Sequence, residues 1–265
     1  MTLNHSHTQM SGNSMEGIMM LFVLFLFVLY PLAAHWTSRR YQKWPMYRAV
    51  FWISGIFVGA VAVVGPLAEF AHHSFPGHML GHLLLGMLAP LLLVCAKPMT
   101  LLLRTLSVPV ARRVTRFLNS RPLRLLTNPA TAALLNIGGL YLLYMTPLYP
   151  MMHDSLALYV LIHLHVFGAG YLFTISMIYM DVTPHRFSYW YRAIVLVLAL
   201  AGHKVLSKYI YAYPPGGVIR SEAEAGARLM YYGGDLVDLV LIIILCYHWY
   251  RATAPRSHLK KSQPI

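Results

Sequence analysis

The chain has 265 residues, of which 58% are hydrophobic and only 11% charged. A soluble domain carries about a quarter charged residues, so almost no sequence is left for a large water-facing domain and the composition describes an integral membrane protein built as one membrane domain over residues 1–265. The formal net charge of +13 would raise nucleic-acid binding in a soluble protein, but basic residues collect in the cytoplasmic loops of membrane proteins, and the reading here is a lipid bilayer and no nucleic acid.

Residues 1–16 contain no Lys or Arg and so lack the basic region of a signal peptide. They read as an exposed tail in which His5, His7 and Met10 either gather a metal ion or serve as polar filler. Seven apolar runs then approach the roughly 20 residues that span a bilayer: 17–36, 50–71, 78–96, 129–149, 156–180, 192–211 and 228–250. The predicted fold class is all-α, a polytopic seven-transmembrane-helix bundle. Pro31, Pro66, Pro90 and Pro147 fall within or near span ends, where they kink helices. Gly138-Gly139 and Gly233-Gly234 permit close helix approach.

Residues 99–128 are too polar to span. Val110, Val114 and Phe117 recur at helical spacing opposite Arg112, Arg113 and Arg116, which predicts an amphipathic cytoplasmic connection, capped by Ser107, that either sets topology or rests on anionic lipid. Residues 251–265 form a second basic segment. Seventeen of the 21 Lys and Arg residues fall after spans one, three, five and seven. By the rule that basic loops stay inside, the N-terminus is outside and the C-terminus inside.

Ionisable groups within apolar spans mark a functional site by default. The stretch AHHSFPGHMLGH supplies His72, His73, His78 and His82 on the outer side, and His78 and His82, four residues apart, share one helical face. At 1.5 Å per residue, His163 lies roughly 10 Å below the outer end of span five and His203 roughly 12 Å below that of span six. Asp235 and Asp238 fall at similar depth in span seven. His163 and His165 are two residues apart, so one of them faces a shared site, and His163 is preferred. Lys204 offers Asp235 or Asp238 an ion-pair partner, a structural alternative to ligation. Imidazole serves zinc, copper, iron and nickel, and thioether favours Cu(I). The nearby methionines are otherwise ordinary core filler. Cys95 and Cys246 read as small core- or lipid-facing residues, too few to frame disulfides.

GHMLGHLLLGMLAPLLLVCAKP, IHLHVFGAGYLF followed by Asp181 and Pro184, AGHKVL, and AGARLMYYGGDLVDL together resemble the multi-span CtaG family of bacterial cytochrome c oxidase assembly factors, from about span two to span seven. The CAKP ending departs from the Gly-x-Pro of that family. The resemblance implies a multi-pass protein of the bacterial inner (plasma) membrane that assembles or metallates a haem-copper oxidase. It implies copper as the metal, and as partners oxidase subunits and periplasmic copper carriers. By motif position it implies His78, His82, His163, His165, His203 and Asp235 as metal residues. His72 and His73 join them on the residues alone. No nucleophile-base pair or nucleotide motif stands out, so no enzyme is expected. A copper transporter, a di-iron enzyme and a b-type cytochrome remain open from the residues.

Overall fold

The computed structural model describes the backbone of residues 4–254 and the side chains of Gly17 and of residues 20–254. His5, His7, Met10 and the segment 255–265 therefore lie outside the described side chains. Helix α1 (Asn4–Arg40) contains an apolar stretch, Met20–Arg40, long enough to cross a membrane. It docks through Tyr30, whose ring stacks on Trp52 at 4.7 Å and whose hydroxyl accepts from Trp44 Nε1 at 3.2 Å and donates to the Ala96 carbonyl.

Helix α2 (Met46–Val63) ends earlier than the apolar run predicts. Gly65 takes φ 87°, a left-handed backbone that glycine alone adopts freely, and Pro66 opens a separate short helix, α3 (Pro66–His73). The expected single span over 50–71 is thus two helices. Ser74 then accepts from Gly77 N at 3.1 Å and caps α4 (Phe75–Leu83). A π-turn (Leu84–Leu88) joins α4 to α5 (Ala89–Ala96).

Lys97, at φ 58°, closes α5 and opens α6 (Pro98–Thr105). The basic connection continues as α7 (Val108–Leu118) and α8 (Arg121–Leu126). Ser107 occupies the N-cap position of α7 without a side-chain hydrogen bond, so the expected cap is one of backbone only. Neither α7 nor α8 buries any residue, and Val108, Val110 and Phe117 are exposed, an apolar stripe with no protein partner among the described residues.

The fourth apolar run is broken into α9 (Pro129–Ala133), a π-turn (Leu134–Gly138), α10 (Gly139–Met145) and α11 (Leu148–Asp154), with α11 bent 80° away. Helices α12 (Leu156–Met177), α13 (Tyr189–Ala212) and α14 (Arg220–Thr253) complete the bundle. Among the described residues, six stretches are long and apolar enough to cross a membrane, or seven if the bent α9–α11 unit counts as one. The protein is a multi-pass helical membrane protein.

Phe75–Ala96 is its hub. Within that span 72% of the window is buried, against 17% and 11% for the first two spans. Exposed faces such as Phe25, Phe57, Leu198 and Leu236 are apolar, as a lipid-facing surface must be. Three apolar clusters are buried among the described residues, and two of them flank the polar groups of the interior. One holds Phe75, Met79, Leu143, Met152, Leu206 and Met230. The other holds Leu91, Val94, Phe173, Met177, Leu241 and Leu245. Between them in sequence lie His82 on the hub and His203 on α13, and Asp238 follows Val237, the first residue of the second cluster on α14.

A paired-histidine site along the hub helix

Six histidines of the bundle meet in three successive pairs. At the exposed end, His72 at the C-terminus of α3 faces His153 of α11 with ring centroids 6.1 Å apart, and it stacks on Tyr159 at 4.8 Å. One step inward, His78 of α4 faces His163 of α12 at 6.5 Å. Deeper still, His82 faces His203 of α13 at 6.2 Å. The four-residue spacing of His78 and His82 on α4 sets both inner pairs on one side of the hub.

Both rings of the middle pair are oriented by a named group. His163 Nδ1–H donates to the Tyr159 carbonyl at 2.8 Å, which fixes the neutral tautomer and leaves Nε2 as a free lone pair. His78 Nε2 shares a 3.0 Å hydrogen bond with the Tyr144 hydroxyl. The inner pair differs. His82 Nδ1 and Nε2 and His203 Nε2 are all buried without a hydrogen-bond partner, although an unsatisfied buried polar group costs about 1–3 kcal/mol.

Small cavities accompany the pairs. One of about 10 Å³ lies among His78, His82, Tyr144 and His163. A second, of about 20 Å³, is bordered by His82, His203, Asp238, Asn136 and Met87. His82 lines both, so it is the residue the two pairs share. Glycines permit the approach. A Cβ on Gly170 of α12 would lie 1.9 Å from the Gly86 carbonyl oxygen in the π-turn, and one on Gly234 would lie 2.8 Å from His203 Cε1.

Of the residues expected from sequence, His78, His82, His163 and His203 come together. His72 belongs to the exposed pair, and His73 is exposed at the end of α3 without joining a pair. His165 is exposed and directed away, with Nε2 donating to the Leu135 carbonyl at 3.1 Å. The half-turn between positions 163 and 165 separates the two faces. Asp235 is tied to Lys204 at 2.7 Å, with both side chains about a third exposed, whereas the carboxylate beside His82 and His203 is that of Asp238, 4% exposed. Tyr144, His153, Asn136 and Met87 were not singled out as site residues by sequence. His153 carries a sequence signal, a histidine in the short PMMHD segment before α12, and the others carry none.

Among the described residues, no group of three or more His, Cys, Asp or Glu side chains could hold a metal ion. Pairs are what the bundle offers. Two imidazole nitrogens each about 2 Å from one ion place their rings about 6 Å apart, which is the spacing of the His82–His203 pair. Met87 adds a thioether at the cavity wall, a ligand type that favours Cu(I).

Fold and site together define a polytopic membrane protein whose central helix carries paired, buried histidines. The chain belongs to the cytochrome c oxidase caa3 assembly factor family, which it matches over residues 20–252. Curated relatives include an uncharacterised protein of Mycobacterium bovis, 32% identical over 57% of this chain and 24% of the relative. Another, from Mycobacterium leprae, is 27% identical over 81% of this chain and 36% of the relative. The chain thus spans about a quarter to about a third of the length of the curated relatives it matches. No solved structure matches it.

Proposed function

We propose that this protein assists the assembly of a haem-copper oxidase in the bacterial plasma membrane by holding copper between paired histidines and passing it to an oxidase subunit. The observation that carries the reading is the His82–His203 pair, whose rings lie 6.2 Å apart inside the hub and leave three buried ring nitrogens without hydrogen-bond partners. An ion held by few ligands leaves readily, which delivery requires. His72 and His153 at the exposed end are the entry, and under the N-outside topology argued from the basic residues they meet periplasmic copper carriers. His78 and His163 connect that entry to the inner pair. The role is delivery, without catalysis.

The competing readings are weaker on specific grounds. A transporter needs a polar path onward, yet beyond His203 the interior is the apolar cluster of Leu91, Val94, Met177 and Leu241. A b-type haem needs a macrocycle between its axial histidines, and the cavity at His82 and His203 measures about 20 Å³. A di-iron centre needs a convergent carboxylate and histidine set, which the described residues do not form.

The test is a deletion strain grown under copper limitation. The oxidase should assemble with reduced copper content, and added copper should restore it in part. Normal oxidase copper content would falsify the assembly reading, and an accompanying fall in cytoplasmic copper would favour transport.

A further inference from the structure

A second polar site lies at the end of the bundle opposite His72. Arg192, in the first turn of α13, is 1% exposed and is the largest fully buried side chain among the described residues. Its guanidinium sits between two rings, 4.0 Å from the centroid of Tyr179 and 4.5 Å from that of Tyr189. Nη1 donates to the Met177 carbonyl at 2.7 Å, and Nε is buried with no partner. Rings and a carbonyl orient the charge without neutralising it.

Among the described residues, no carboxylate supplies the missing negative charge. The ion pairs among the described residues are Lys204–Asp235 and Arg220–Glu224. Asp181 is the one acidic residue between Asp154 and Glu222. Its oxygens already accept from Met99 N at 2.7 Å, from Thr100 N at 2.9 Å, from the Thr100 hydroxyl and from Val182 N at 2.7 Å. A buried cation with no counter-ion is strongly unfavourable, so an external anion is the economical solution.

Beside Arg192 opens a cleft of about 520 Å³ whose walls also carry Arg186, Arg251, His248 and the two tyrosines, with no acidic side chain. Arg186 and Arg251 are exposed and able to close on a ligand. The cleft lies where α13 begins and α14 ends. Trp190, 70% exposed, packs edge-on against Trp249 at 4.7 Å, and Tyr250 is exposed beside them. Such an aromatic belt marks the level of lipid headgroups. Basic pockets between membrane helices at that level bind phosphate-bearing headgroups, and arginine forks suit phosphate oxygens.

We propose that the cleft formed by Arg186, Arg192, Arg251 and His248 binds a phosphate-bearing anion, supplied by the headgroup of an anionic phospholipid. The bound phosphate supplies the counter-charge for Arg192 and ties the start of α13 to the end of α14.

The experiment uses the full chain purified in a neutral detergent, with native mass spectrometry against phosphatidylglycerol and phosphatidylcholine and a thermal melt with inorganic phosphate. The wild type should retain phosphatidylglycerol about tenfold better than phosphatidylcholine, because the choline cation of the latter cancels the headgroup charge and is repelled by the arginines. Arg186→Gln/Arg251→Gln, both exposed positions, should erase that preference while leaving elution and melting close to wild type. Arg192→Gln should erase it also. A rise in melting temperature with inorganic phosphate, absent from the double variant and paired with displacement of phosphatidylglycerol, supports the phosphate site and assigns a free-phosphate source. Equal retention of the two lipids by wild type with no phosphate effect, or an undiminished preference in the double variant, overturns the proposal.

Discussion

Replacing Gly170 by alanine tests whether the close contact between α12 and the π-turn holds the histidine pairs together. The new Cβ would meet the Gly86 carbonyl oxygen at 1.9 Å and its carbonyl carbon at 2.9 Å, and ordinary contact begins at 3.4 Å. The obstacle is backbone, so α12 must retreat by about 1.5 Å in a packed interior. Overpacking of this kind costs about 1–3 kcal/mol, and a carbonyl that cannot rotate aside puts Gly170→Ala near the upper end. Alanine's better helix propensity returns about 1 kcal/mol, leaving a net loss of about 2 kcal/mol and a melting temperature lower by about 4–8 °C. Gly168, one half-turn earlier on the same helix, has nothing within 4 Å of its would-be Cβ. Gly168→Ala therefore keeps the propensity gain and melts at or above wild type. Thermal unfolding of the full chain in detergent reads both variants. If Gly170→Ala melts with Gly168→Ala, the contact between α12 and the π-turn is not what positions His163 against His78.

Three further outcomes follow from local geometry. Lys97 holds φ 58° without being glycine, a strain of about 1–3 kcal/mol; Lys97→Gly should raise the melting temperature by a few degrees, about 1 kcal/mol after the entropy cost of glycine, and an unchanged melt refutes the strain. Tyr144→Phe removes the 3.0 Å hydrogen bond to His78 Nε2, so stability should fall by about 1 kcal/mol while copper retention rises, because the nitrogen is freed; a fall in both would make Tyr144 a support of the metal site. Lys204→Met leaves Asp235 without its 2.7 Å partner within an apolar span, so yield of folded protein should drop, and the exchange Lys204→Asp/Asp235→Lys should recover it; equal yields for single and exchanged variants would show that the ion pair is idle.

Local pattern made much of this molecule legible, and distant packing hid the rest. Apolar runs placed α12 and α13 within a few residues at both ends, though α1 begins thirteen residues before the run at Gly17 and α14 eight residues before the run at Arg228. At Gly65 the sequence showed Pro66 as a kink near the end of the run from Val50 to Ala71, but the positive φ that makes it a full break into a separate helix is set by packing. Neither π-turn has a composition of its own. Leu84–Leu88 and Leu134–Gly138 read as plain helix, since a one-residue widening depends on what packs alongside, here Gly170 against Gly86. Four-residue spacing correctly paired His78 with His82 on one face. Helical geometry also required His163 and His165 to face different ways, but which faced inward depended on α12's rotation about the hub. The choice between Asp235 and Asp238 likewise turned on the position of Lys204 across α13. Arg192 was counted only as one of the basic residues that set topology, because its burial between Tyr179 and Tyr189 is created by the turn of residues 178–188.

The most direct test of the central claim is the copper content of detergent-purified full-length protein, loaded with Cu(I) and washed, beside that of His78→Ala/His82→Ala and of His165→Ala. The account predicts bound copper in the wild type and in His165→Ala, whose ring points to Leu135. It predicts loss to background in the double variant, at unchanged elution volume. Full copper occupancy in His78→Ala/His82→Ala, or a loss that His165→Ala reproduces, would contradict it.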